Sequence, residues 1–191
     1  MDHPDAIAPP DRHSTTRALI EGFREDDPAR TSVARTLDLL RRSPDPFDRD
    51  AYDPGHVTAS GLVFAPTRER ILLVFHDRLG RWLQPGGHVE PHDRHVFETA
   101  RREVYEETGV MVEETSPELI GVDVHEIPAA RGEPAHCHHD LMFSMVATEE
   151  TLRGSPEARD VVWCPLEELE AYEVDEMLSR NVARALGRRG G

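Results

Sequence analysis

A chain of 191 residues has room for one domain with an appendage, or two small domains at most, and is long enough to bury a sizeable core. Its 22 basic residues, all arginine, face 37 acidic ones for a net charge of −15, which leaves no electrostatic footprint for a nucleic-acid duplex or an anionic membrane. A protein this acidic that handles phosphate must bring positive charge locally, and bound metal ions do so.

In chain order, residues 1–13 are polar and proline-rich and are expected to be disordered. From Ser14 to Leu40 the pattern is helical. Leu19, Ile20 and Phe23 form one apolar cluster, Asp27-Pro28 reads as an N-cap with a first-turn proline, and Val33, Leu37 and Leu40 follow at helical spacing. Ser43-Pro44-Asp45-Pro46 ends this helical hairpin and a linker runs to Gly55. Residues 14–54 thus form an N-terminal extension that either covers a core face or makes a homodimer contact. The main domain, 55–187, opens with β-rich segments at 56–64 and 70–75 joined by a hairpin connection. A short strand at 82–84 leads into Pro85-Gly86-Gly87. A helix then begins near Asp93, its N-cap, turns Phe97, Ala100 and Val104 inward, and closes at Gly109 in the left-handed region. Strands at 118–125 and 135–147 flank an exposed loop. A strand at 160–163, a short helix over 166–170 and a last helix near 175–186 complete the chain. This order indicates an α+β fold with a mixed sheet.

Cys137 and Cys164 are too few for a disulfide framework and fall in predicted strands. The amino terminus lacks an apolar signal core, and no stretch approaches the roughly 18 apolar residues of a membrane span. A soluble, cytoplasmic protein is expected.

Glu103, Glu106 and Glu107 share one side of the predicted helix, about 5–6 Å apart at Cβ, where like charges repel. A divalent cation reverses the sign of that interaction, and hard cations such as Mg²⁺ take a few carboxylates plus substrate phosphates. The pattern therefore points to a metal site that handles phosphate; the competing reading is a solvated glutamate-rich face. Arg102 either orients a neighbouring glutamate or forms a surface salt bridge.

Gly86-Gly87-His88-Val89-Glu90, followed by Arg102-Glu103-Val104-Tyr105-Glu106-Glu107-Thr108-Gly109-Val110, resembles the signature of the Nudix hydrolases. That signature is Gly-x5-Glu-x7-Arg-Glu-U-x-Glu-Glu-x-Gly-U, with U aliphatic. Gly87, Arg102, Glu103, Val104, Glu106, Glu107, Gly109 and Val110 match in type. Asp93 stands where the first Glu is expected, and eight residues rather than seven separate it from Arg102. The added residue is assigned to the turn before the helix, and Asp93 is read as a cap rather than a metal ligand. Residues 82–87 and 162–169 extend the likeness to roughly 56–186, and the whole looks most like small bacterial members with an added N-terminal helical segment.

The resemblance implies an α/β/α sandwich and hydrolysis within the diphosphate of a nucleoside diphosphate linked to another group. It implies Mg²⁺ or Mn²⁺ held mainly by Glu106 and Glu107, with Glu103 and the Gly87 carbonyl as further ligands and Arg102 orienting a glutamate. No tyrosine between Val110 and Tyr172 matches the dinucleoside polyphosphate enzymes, and Pro128 does not clearly match the ADP-ribose pattern. A nucleotide sugar or nucleoside triphosphate is the expected substrate. The alternative is a non-catalytic module of the same fold that senses a nucleotide, against which stand the three intact carboxylates.

Other residues keep two or more readings. On a strand, His136, His138 and Asp140 share one face while Cys137, His139 and Leu141 take the other. These histidines satisfy structural hydrogen bonds, contact substrate, or bind Zn²⁺. Arg78 and Arg81 contact a phosphate or face solvent. The general base is Glu103 or Glu107 acting through water, or else Glu133, His125 or His136. Glu90 lies near the metals or pairs with Arg102, and Trp82 reads as core rather than a stacking platform.

Overall fold

The structure, a computed structural model, describes residues 11–23, 27–77, 79–130, 132–153 and 160–187, with only the backbone of residues 27 and 28. The cap expected of the Asp27 side chain, the site residue Arg78 and the tail from Arg188 lie outside the described residues, as do residues 1–10. Helix α1 (Arg12–Glu21) starts inside the stretch expected to be disordered. Asp11 is its cap, and the Ser14 N–H donates to the Asp11 carboxylate at 2.8 Å. Helix α2 (Asp27–Arg42) follows. Ile20, Phe23, Val33, Leu39 and Leu40 are buried, with Leu19 and Leu37 packed against them, so the extension covers a core face of the domain.

The strands are β1 (Gly55–Phe64), β2 (Arg70–His76), β3 (Arg81–Leu83), β4 (Gly86–His88), β5 (Leu119–Ile127), β6 (His136–Val146) and β7 (Val161–Pro165). Helix α3 (Val96–Thr108) lies between β4 and β5, and α4 (Glu176–Gly187) ends the described chain after a 3-10 turn at Leu166–Glu168. The seven strands form one mixed sheet. β1 and β6 run parallel from Gly55 opposite Cys137 to Phe64 opposite Val146, and β5 is antiparallel to β6. The other edge of β1 is shared between two partners. Phe64 pairs with Ile71 of β2, whereas Thr58, Ala59 and Ser60 pair with His88, Gly87 and Gly86 of β4.

Strand β1 is buried along its whole length because both its faces are covered. Val57, Ala59 and Val63 belong to a core with residues of α1, α2 and α3, while Leu62 and Phe64 pack with Leu178, Val182 and Ala185 of α4. This is the α/β/α sandwich, with the helical hairpin on the α3 side. Phe97, Ala100 and Val104 of α3 point inward as their spacing predicts, and Gly109 closes the helix at φ 71°, its N–H donating to the Tyr105 carbonyl at 2.8 Å. Among the described residues no helix is long and apolar enough to cross a membrane.

Candidate active site

Helix α3 begins at Val96, not near Asp93, and Asp93 does not cap it. The Asp93 carboxylate is instead captured by a side chain nine residues on. It accepts from Arg102 Nη2 at 2.9 Å and Nε at 3.3 Å, from the Glu90 N–H at 2.9 Å and from the Thr99 hydroxyl at 2.9 Å. Burial pushes the Asp93 pKa up, but the Arg102, Glu90 and Thr99 hydrogen bonds outweigh it and hold the group below its ordinary value. Since α3 runs unbroken from Val96 to Thr108, the extra residue of the box is taken up ahead of the helix.

Arg102 gathers the site. Besides Asp93 it donates through Nη2 to the His88 carbonyl at 2.8 Å, and through Nη1 to Glu103 at 2.8 Å and Glu106 at 2.9 Å. Burial opposes its charge, yet the Asp93 and Glu103 bonds more than compensate and raise its pKa. One guanidinium thus fixes the β4 backbone, the preceding loop and two carboxylates of α3. Glu90 is not among its partners.

The carboxylates lean on β4. The Gly86 N–H donates to Glu107 Oε2 at 3.1 Å. A Cβ built at Gly87 would stand 2.6 Å from Glu103 Cδ and 2.7 Å from both its oxygens, so the carboxylate occupies the space a side chain would fill. Glu106 keeps about half its side chain exposed at 53%. Three carboxylates, those of Asp93, Glu103 and Glu106, therefore share one guanidinium, a fourth, that of Glu107, rests on the adjacent β4 backbone, and the donor set is entirely oxygen. That excess of negative charge and that chemistry fit a hard divalent cation.

The N-terminal extension reaches this site. Arg12 Nη1 donates to the Glu90 carbonyl at 2.9 Å and to the Asp93 carbonyl at 2.8 Å, while its guanidinium lies 4.7 Å from the Phe47 ring centroid. The loop that presents Asp93 to Arg102 is thereby tied to the first turn of α1.

His136 and His138 come together, but on the sheet face opposite the side where Glu103 meets Gly87. Their Nε2 atoms are 3.3 Å apart. The parallel register sets His56 opposite His138, and His125 of β5 is the antiparallel partner of His138. His88 of β4 completes the group, its ring 5.1 Å from those of His56 and His138. Residue types alone gave no signal for His56 and His88, because His56 joins through the β1–β6 pairing and His88 through the β1–β4 pairing, each between segments distant in the chain. Asp140, on the same face, is buried and accepts from the Thr58 and Ser60 hydroxyls. Burial raises its pKa. His139 points the other way, to Thr36 of α2 at 3.0 Å, as strand alternation requires.

Arg81 lies 3.8 Å from Asp175, at the start of α4. Trp82 makes edge contacts with Phe75 and Tyr172, at 5.3 and 5.6 Å, and packs against the α4-side core. His125 is held by Asp123 at 2.9 Å, whose carboxylate raises its pKa against the effect of burial.

The NUDIX domain model matches residues 54–186. A curated relative, the m7GpppN-mRNA hydrolase NUDT17 of Xenopus laevis, is 36% identical over 90 residues. Those residues are 44% of this chain and 30% of the relative, so the chain spans well under half of that protein. Among solved structures, the NUDIX domain of Shewanella oneidensis NrtR complexed with ADP ribose superposes with a TM-score of 0.56 at 20% identity, covering 79% of this chain and 96% of that one. A C. elegans Ap4A hydrolase binary complex gives 0.51 at 18% identity, covering 71% and 98%. With a family model matched over most of its length, and with the fold and box carried by the residues described above, the chain belongs to the Nudix hydrolase family.

Proposed function

We propose that this protein is a divalent-cation-dependent pyrophosphohydrolase that cleaves the diphosphate of a nucleoside diphosphate derivative, with a nucleotide sugar or a nucleoside triphosphate as the favoured substrate. The observation that carries the reading is the Asp93–Arg102 anchor, which holds Glu103 and Glu106, with Glu103 against Gly87 and Glu107 bonded to the Gly86 N–H. Glu103, Glu106, Glu107 and the Gly87 carbonyl would hold Mg²⁺ or Mn²⁺. A cation bound there neutralises diphosphate charge and lowers the pKa of a bound water. Arg102 keeps two of the carboxylates in place before substrate arrives, so less reorganisation is left for the reaction itself. The proton acceptor in this reading is Glu103 or Glu107, because His125 and His136 stand across the sheet. The relatives' names support a nucleotide ligand: capped mRNA, ADP ribose and Ap4A all carry a phosphoanhydride chain.

The test is a panel of diphosphate-linked nucleotides incubated with purified protein and Mg²⁺ or Mn²⁺, with products identified by mass spectrometry. Cation-dependent cleavage of one class within its phosphate chain is expected. Tight binding of a nucleotide without turnover of any would replace the enzyme by a nucleotide sensor on the same fold.

A further inference from the structure

We infer that His56, His136 and His138 form a second metal site, selective for a transition metal such as Zn²⁺ and separate from the carboxylate cluster. Among the described residues they are the one group of three whose ligand atoms lie close enough to share an ion, all within 4.8 Å of one another. The Nε2 atoms of His136 and His138 are 3.3 Å apart. Two imidazole nitrogens on a tetrahedral zinc, each at about 2.0–2.1 Å, stand about 3.3–3.4 Å from each other. The spacing is that of a ligand pair.

The hydrogen bonds around the rings decide which nitrogens are available. His56 Nδ1 lies 3.3 Å from the Ala51 carbonyl and His136 Nδ1 lies 2.9 Å from the Pro134 carbonyl. A carbonyl only accepts, so in both rings Nδ1 carries the proton and Nε2 is left with a lone pair. This is the arrangement that fixes tautomer and orientation in metal-binding histidines. His138 Nε2, if protonated, satisfies the His136 lone pair and no other. His56 Nε2 is buried and has no hydrogen-bond partner. An orphaned buried acceptor costs free energy without compensation. A cation at the convergence of the three rings satisfies every lone pair at once.

The nitrogen donor set favours a borderline transition metal over Mg²⁺, which the oxygen cluster across the sheet suits. Three protein ligands leave a fourth position, which water or the flanking His88 can fill.

The full-length protein, stripped with a chelator and dialysed, is titrated with Co²⁺ in the absence of Mg²⁺. One tightly held equivalent with the intense visible bands of tetrahedral cobalt is expected, displaced by one equivalent of Zn²⁺. His138→Ala should weaken binding by about 100-fold or more, while the combined Glu103→Gln, Glu106→Gln and Glu107→Gln variant should keep the bands. X-ray absorption of the Zn²⁺-loaded wild-type chain, which does not depend on any variant folding, should show imidazole back-scattering. Absence of the bands in the wild type, their loss in the triple glutamate variant, or a first shell of carboxylate oxygens alone would overturn the site.

Discussion

Arg102 and Asp93 are the residues on which the acidic site is mounted. Asp93 contributes no cap to the helix; it holds the guanidinium that holds Glu103 and Glu106. Asp93→Asn should therefore destabilise the protein by about 2 kcal/mol near neutral pH, the scale of lost hydrogen bonds to a charged group. The pH dependence has a definite sign. The folded Asp93 pKa lies below the ordinary 3.8, so its stabilisation is complete above that value and is lost as pH falls through the folded pKa. Urea midpoints of wild type and variant should differ clearly at neutral pH and converge in acid. A gap independent of pH would show that the charge of Asp93 contributes nothing. Glu106 makes no packing contact of comparable weight, being half exposed. Glu106→Gln should lower kcat by at least about 100-fold with an unchanged melting temperature. Near-normal turnover of that variant would refute its assignment as a ligand.

Among the elements, those built on periodicity were legible in the chain. Phe97, Ala100 and Val104 give α3 its buried stripe, and the alternation of His136, His138 and Asp140 against His139 fixes the faces of β6. Strand β4 was not legible, since Gly86-Gly87-His88 has no strand propensity and pairs only because β1 leaves Thr58–Ser60 unpaired by β2. The start of α3 was misplaced for a related reason: Asp93 has the composition of a cap, but a partner nine residues away captures it. The box glutamates were readable as one helical face, whereas the five-histidine group depends on strand register, which residue types do not encode. The close approach of β4 to β1 has its own test. A Cβ at Gly86 would meet Ser60 Cβ at 2.5 Å, Ser60 Cα at 2.7 Å and the Ala59 carbonyl oxygen at 2.8 Å. The Ser60 Cα and the Ala59 carbonyl are backbone and have no room to yield. Gly86→Ala is expected to cost about 2 kcal/mol, measured by chemical denaturation, and to weaken the contact between β4 and Glu107. Wild-type stability in that variant would mean that β4 is free to move away from β1.

For the whole molecule, the net charge of −15 bears on the proposed reaction, whose substrate would be a polyanion. At low ionic strength the long-range field repels such a ligand, and salt screens that field over a Debye length of about 10 Å at 0.1 M. At fixed saturating Mg²⁺, added monovalent salt should raise kcat/KM and leave kcat nearly unchanged. A fall in kcat/KM with salt would mean that a local basic path to the site dominates over the net charge.

The family match begins at residue 54, yet one fastener of the box comes from residue 12. The portable unit of the family is here hydrogen-bonded to a part of the chain that lies outside the matched stretch. Arg12→Ala in the full chain should leave the global melt almost untouched while amide exchange at residues 90–95 quickens and kcat falls by about tenfold, through slight misplacement of the groups at the proposed site. Unchanged exchange there would make the hairpin a passenger. Otherwise, trimming this protein to its recognisable part would discard the pin that keeps its acidic jaw aligned.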